Sequence, residues 1–127
     1  NFQQSPEWFA PFAGVQLLLQ QNKREEALDK LKPLLKSSDP PLKELTQYQV
    51  AYLLVLQGAI PLALEITELI SGESMYTELA IILKAEISDY LLDDTEKAID
   101  NYLEFLETYP TSIYYDRVRM RLRELAS

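Results

Sequence analysis

The sequence contains no cysteine and no histidine, and this absence excludes several kinds of chemistry. It rules out a disulfide, a thiol nucleophile, a zinc site built on thiolate or imidazole, and a serine–histidine–aspartate triad. Glycine is also scarce, with three residues in 127. So few glycines favour helices joined by short turns over a fold rich in β-hairpins. The longest uninterrupted apolar run, 50–56, is far shorter than the ~20 residues that a membrane-spanning helix needs.

Basic residues are rare in the middle of the chain. Twelve Lys and Arg stand against 20 Asp and Glu, which gives a formal net charge of −8. Residues 44–116 hold two basic and fourteen acidic residues, whereas residues 117–127 hold four arginines and one glutamate. Such a surface repels nucleic acids, because their phosphate backbone is bound by clustered Lys and Arg. We therefore expect no nucleic-acid partner.

Apolar residues recur at helical intervals along most of the chain, and Pro, Gly, Ser and Asp residues mark the helix ends. Pro33 should kink the second helix because proline removes a backbone donor, and Gly58 should end the third in a left-handed cap. The pattern predicts seven helices. Five of them lie at 11–21, 23–36, 40–57, 61–70 and 74–92. The sixth is capped by Asp93 or Asp94 and ends at Tyr109, and the seventh is capped by Thr111 or Ser112 and ends at Ala126.

The second helix of each predicted pair contains a small residue at the same place. These residues are Ala27, Ala63 and Ala98, at spacings of 36 and 35 residues. Short turns between successive helices make them antiparallel neighbours. A period of about 34 residues, one helix pair long, is typical of tetratricopeptide arrays. We predict one domain over 1–127, with repeats at about 8–40, 41–73 and 74–110 and a capping helix at 111–127.

The third repeat carries the residues that most resemble the tetratricopeptide family. In that family a small residue allows close packing of the paired helices, an aromatic residue one turn later fills their interface, and a proline ends the unit. Ala98, Tyr102 and Pro110 match these roles in spacing and type. The segment 109–115, Tyr-Pro-Thr-Ser-Ile-Tyr-Tyr, and the helix after it are similar to bacterial envelope members of the family, such as outer-membrane assembly lipoproteins and the periplasmic Tol-Pal coordinator.

The resemblance implies an all-α fold, in which antiparallel helix pairs stack into a right-handed superhelix. It also implies a non-catalytic scaffold that binds a protein or peptide partner, and an envelope or periplasmic location in preference to a cytoplasmic one. An irregular helical bundle is the alternative fold.

The first helix of the third pair fits the repeat in two registers. If Ala85 takes the close-packing position, the following turn carries one extra residue. If the repeat spacing is applied without an extra residue, Glu86 takes the buried position instead and needs a partner. We prefer the register with Ala85 inside.

A concave groove lined by the first helix of each pair is the partner site that the resemblance implies. Tyr48 and Tyr52 lie four residues apart and share a helix face, so they would anchor a peptide or a partner helix. If they pack in the core instead, their truncation should chiefly reduce stability. The residues matched to the groove are Phe9, Phe12, Gln16, Tyr48, Gln49, Tyr52 and Lys84.

Two other functions remain open. An N-terminal edge with Trp8, Phe9 and Phe12 would allow self-association of a structural module. Glu86 and Asp89 lie on one helical face and would allow acid–base chemistry, although a solvated acidic face is the simpler interpretation. Glycine loops that bind phosphate or calcium are absent from the sequence. We therefore expect no enzyme activity, no cofactor and no metal.

Four arginines alternate along the last predicted helix, at Arg117, Arg119, Arg121 and Arg123. They flank an apolar stripe, which is typical of an amphipathic capping helix. We expect these arginines to pair with the acidic middle of the chain, and an acidic partner site is the alternative.

Overall fold

The computed structural model describes residues 23–36, 38–72 and 74–127. Over these residues the chain is all-α and contains no sheet. A 3-10 segment, Lys32–Lys36, follows the first helix, and a π-helical segment, Ile87–Leu91, follows the fourth. The six α-helices of this part are α1 Arg24–Leu31, α2 Pro40–Leu56, α3 Ile60–Leu69, α4 Met75–Glu86, α5 Thr95–Thr108 and α6 Tyr115–Ala126. The predicted helix 11–21 and the residues Trp8, Phe9, Phe12 and Gln16 lie outside the described residues.

The chain divides after Gly72 into two compact units. In the first unit α1 packs on α2 and α2 packs on α3, and in the second α4 packs on α5 and α5 packs on α6. Neighbouring helices within each unit are antiparallel, as the short turns require. The all-α prediction and the antiparallel packing of adjacent helices are confirmed. The superhelical stacking of a tetratricopeptide array stays a prediction.

The helix ends of the first unit follow local chemistry. Gly58 has φ of +82° and donates its N–H to the Val55 carbonyl at 3.0 Å, which confirms the predicted left-handed cap. Pro40 begins α2, where its missing N–H has no consequence. At Pro33 the prediction was only partly right. The α-helix ends at Leu31 and continues as the 3-10 segment, so the predicted α-helix 23–36 is shorter than expected.

Helix α2 is buried on nearly all sides. Every residue from 46 to 55 is buried, polar ones included. Thr46 satisfies its hydroxyl within the helix by donating from Oγ1 to the Leu42 carbonyl at 2.8 Å. A helix that is buried all round is a core element, and it packs between α1 and α3 in the first unit.

In the second unit the caps are side chains that accept backbone N–H groups. Ser74 Oγ accepts from Tyr76 N, and Asp94 Oδ1 accepts from Lys97 N, each at 3.1 Å. Asp93, the other predicted cap, has φ of 52° in the turn before α5. The last helix begins later than predicted. Ser112 Oγ accepts from Tyr114 N at 3.1 Å and closes a turn, so the helix starts only at Tyr115.

The π-helical segment lies where the preferred register places one extra residue. Ala85 is fully buried, and the Leu92 N–H reaches back five residues to the Ile87 carbonyl at 2.9 Å. A hydrogen bond that spans five residues along the chain encloses one residue more than the four-residue hydrogen bond of an α-helix. Ile87 and Ser88 consequently point inward, while Tyr90 is 52% exposed.

Candidate functional site

The predicted groove residues of the described chain lie mostly inside the protein. Tyr48 and Tyr52 are 0% and 2% exposed, and Gln49 is also buried. This placement corresponds to the core role that the sequence left open. Lys84, in the last turn of α4, is half-buried. In this structure the two tyrosines offer no surface to a partner.

The residues predicted to pack the repeats are buried where they lie on helices. Ala27, Ala63 and Ala98 are at most 1% exposed, and Tyr102 is 2% exposed. Pro110 is exposed and directly follows Tyr109, the residue that caps α5. The four buried side chains fit the close-packing role that the resemblance implies.

A partly buried ion pair joins the π-helical segment to α6. Arg121 donates from Nε to Asp89 Oδ2 at 2.7 Å and from Nη2 to Asp89 Oδ1 at 2.8 Å. The Tyr102 hydroxyl of α5 donates to the same Oδ2 at 2.9 Å. The Asp89 side chain is only 2% exposed. Bidentate pairing of this kind is strong and directional, so it fixes α6 against the π segment and α5.

The pKa values in this cluster follow from the same contacts. The hydrogen bonds to Asp89 raise the pKa of Arg121, which therefore stays charged. Burial, with the nearby carboxyls of Glu86 and Asp89, raises the pKa of Tyr102. The Arg121 guanidinium also lies 4.8 Å from the centre of the Tyr90 ring, a cation–π distance.

Glu86 is the unusual member of the cluster. Its Oε1 is buried and has no hydrogen-bond partner within the described part of the chain. Burial is the main cause that raises the pKa of Glu86 to about 8, with Arg117 of α6 opposing the shift and the charge of Asp89 adding to it. Glu86 is therefore a neutral carboxylic acid near pH 7. Although Ala85 is inside, Oε1 of this carboxyl is also shielded from water.

The two carboxyls predicted to share a face are therefore not a solvated acidic surface, and that interpretation was wrong for Asp89. Both oxygens of Asp89 are occupied by Arg121 and Tyr102. The predicted pairing of the arginines with the acidic middle is confirmed at Arg121. Arg119 instead contacts Asp116 of its own helix at 3.4 Å, on the surface.

A surface cleft lies in the second unit between the start of α4 and the turn that joins α5 to α6. Its volume is about 370 Å³. The turn is held by hydrogen bonds from Ser112 N to the Tyr109 carbonyl and from Tyr115 N to the Ser112 carbonyl, each at 3.1 Å. The ring of Tyr109 packs 5.4 Å from that of Phe105, centre to centre. The lining residues are Met75, Glu78 and residues 108–114.

Two large apolar side chains of this cleft face solvent. Ile113 is 87% exposed, the highest value among the large hydrophobic residues of the described chain, and Met75 is 44% exposed. The segment 109–115 was identified by its family resemblance alone, and this cleft was not predicted from the sequence. An Ile between Ser112 and Tyr114, in a segment bounded by proline and a helix start, was the available signal.

Comparisons with protein-family models, with curated proteins and with solved structures found no match to this chain. None of the helices in the described ranges is long and apolar enough to cross a membrane.

Proposed function

We propose that the chain is a non-catalytic scaffold of the tetratricopeptide type, which binds a protein partner and belongs to a bacterial envelope assembly. The observation that carries the proposal is the cleft beside the α5–α6 turn, where Ile113 and Met75 expose apolar surface. A side chain of isoleucine size left in water forgoes roughly 1.5–3 kcal/mol that burial against a partner would recover. The turn that presents it is the segment that most resembles envelope tetratricopeptide proteins.

The buried cluster supports a structural role over a catalytic one. Asp89 has both oxygens bonded to neighbouring side chains, and Glu86 is held neutral by burial. Neither carboxyl is placed in the cleft that could receive a substrate. We therefore assign the cluster to the attachment of α6 and the cleft to recognition.

Site-specific photo-crosslinking in the native cells tests this proposal. Ile113 is replaced by a photoreactive amino acid, with matched positions at Leu69 of α3 and Met120 of α6, which are also well exposed, at 59% and 62%. We expect one discrete adduct with a different protein at position 113 and none at the two control positions. Adducts only with a second copy of the chain would support self-association instead. Equal labelling at all three positions would contradict a defined site.

A further inference from the structure

We propose that the cleft binds a partner segment in which a lysine or arginine stands next to a large aliphatic residue. This inference rests on the proposed scaffold function and specifies the chemistry of the partner. Two observations carry it, one for each half of the segment.

The aliphatic half follows from the rim of the cleft. Met75 and Ile113 expose apolar surface, and the Tyr109 ring is held in place by its contact with Phe105. The flexible thioether of Met75 lies beside the turn that contains Tyr109 and Pro110. A thioether of this kind adapts its shape to a branched aliphatic side chain. An aliphatic residue of the partner would bury these atoms at little conformational cost to the turn.

The basic half follows from the end of α5. The carbonyl end of a helix carries partial negative charge and is stabilised by cations. The last turn of α5 contains no basic residue, and its exposed Glu107 adds to the negative charge. Glu78 supplies a further carboxylate directly in the cleft lining. The cleft therefore presents negative charge that a partner cation would complement.

A positive charge, that of Arg117, also acts on the cleft lining at Tyr114. Burial and the charge of Glu78 raise the pKa of the Tyr114 hydroxyl, whereas Arg117 lowers it. The influence of Glu78 on this hydroxyl is the larger of the two. Arg117 also acts on Glu86, away from the cleft lining. At the Tyr114 hydroxyl, the effect of the negative charge of Glu78 therefore exceeds that of the positive charge of Arg117.

The experiment uses two capped dipeptides that differ in charge alone. The first probe is N-acetyl-leucyl-arginine amide, and the second replaces arginine by its neutral isostere citrulline. Each is titrated at millimolar concentration into the isotope-labelled full chain, and amide chemical shifts are followed. We expect shifts concentrated at Met75, Glu78, Tyr109 and residues 111–114. The arginine probe should bind about three-fold or more tightly than the citrulline probe, as a solvent-exposed charge pair permits.

Variants separate the two halves of the proposal. Glu78→Gln should bring the arginine probe to the affinity of the citrulline probe, whereas Glu65→Gln, an exposed acid of α3, should leave both affinities unchanged. Ile113→Ser should weaken both probes equally. Shifts spread over all acidic surfaces, or a Glu78→Gln variant that binds both probes like wild type, would overturn the proposal.

The result is independent of the crosslinking test. If a heterologous adduct forms at position 113 but the probes do not distinguish charge, the scaffold function stands and the basic–aliphatic chemistry is wrong. If position 113 gives no heterologous adduct, the scaffold function fails whatever the probes show.

Discussion

Asp89 and Arg121 lie 32 residues apart in the chain and form a bidentate ion pair, with both N···O distances at or below 2.8 Å. This pair, completed by the Tyr102 hydroxyl, attaches α6 to the rest of the second unit. The cleft directly precedes the attached helix in the chain, because its lining ends at Tyr114, the residue before α6 begins.

Replacing Arg121 by methionine should reduce the free energy of unfolding by about 3–5 kcal/mol, because it leaves the Asp89 carboxylate buried without its counter-ion. Chemical denaturation at pH 7 measures this loss. Arg119→Met is the matched control, since Arg119 pairs with Asp116 at the surface and should cost no more than about 1 kcal/mol. Similar losses in both variants would show that the buried pair does not attach α6.

Glu86→Gln should change how stability depends on pH. The pKa of Glu86 is about 8 in the folded chain, against an ordinary value of 4.5. The folded state therefore holds a proton that the unfolded state releases between these two values. The contribution of Glu86 to the free energy of unfolding is fully present below about pH 4.5 and is lost as the pH rises through about 8.

The measurement is the unfolding free energy of wild type and Glu86→Gln at several pH values from 5 to 9. Relative to the variant, wild type should lose about 2–4 kcal/mol over that range. The charged and titratable groups that face Glu86 are Asp89, Tyr90, Tyr102 and Arg117, and the variant retains them all. Parallel pH profiles for the two proteins would mean that Glu86 is ionised in the folded chain.

Gly58→Ala should destabilise the first unit by about 1 kcal/mol through backbone strain, because φ is +82° at this position. An added Cβ would meet no other atom within 4 Å, so steric overlap contributes nothing. Gly58→Asn should cost less than alanine, since asparagine tolerates the left-handed region. Thermal melting of the two variants checks this order, and equal losses would argue against a conformational origin.

Tyr48→Ala and Tyr52→Ala should each reduce the free energy of unfolding by about 3 kcal/mol or more, because both side chains are almost fully buried. Circular dichroism melting curves measure the loss. Variants that keep the wild-type melting temperature and lose partner binding would instead assign these tyrosines to the groove that the resemblance implies.

The sequence predicted those features whose causes lie within a few residues. The left-handed cap at Gly58, the proline start of α2 and the Asp94 cap of α5 each depend on one residue and its immediate backbone. The α6 boundary was missed although Ser112 did act as an acceptor. It bonds the Tyr114 N–H, which closes a turn without starting a helix.

The sequence did not predict the cluster and the cleft, because their partners meet only in the folded chain. The Asp89 side chain is buried and forms an ion pair with Arg121, because the π segment directs it inward, toward helices that follow later in the chain. The burial of Tyr48 and Tyr52 had a visible signal, since the apolar run 50–56 extends their apolar face around the whole helix. The family resemblance favoured a groove there, whereas that apolar pattern favours a core helix.

Isothermal titration calorimetry of the purified chain with the partner identified by crosslinking tests the scaffold function most directly. The account predicts a saturable complex with the wild-type chain, equal affinity for the Leu69→Ser control, and at least a ten-fold loss for Ile113→Ser. That loss corresponds to about 1.4 kcal/mol. Unchanged affinity in Ile113→Ser would contradict the account. So would a titration in which the only heat comes from the dilution of a self-associated chain.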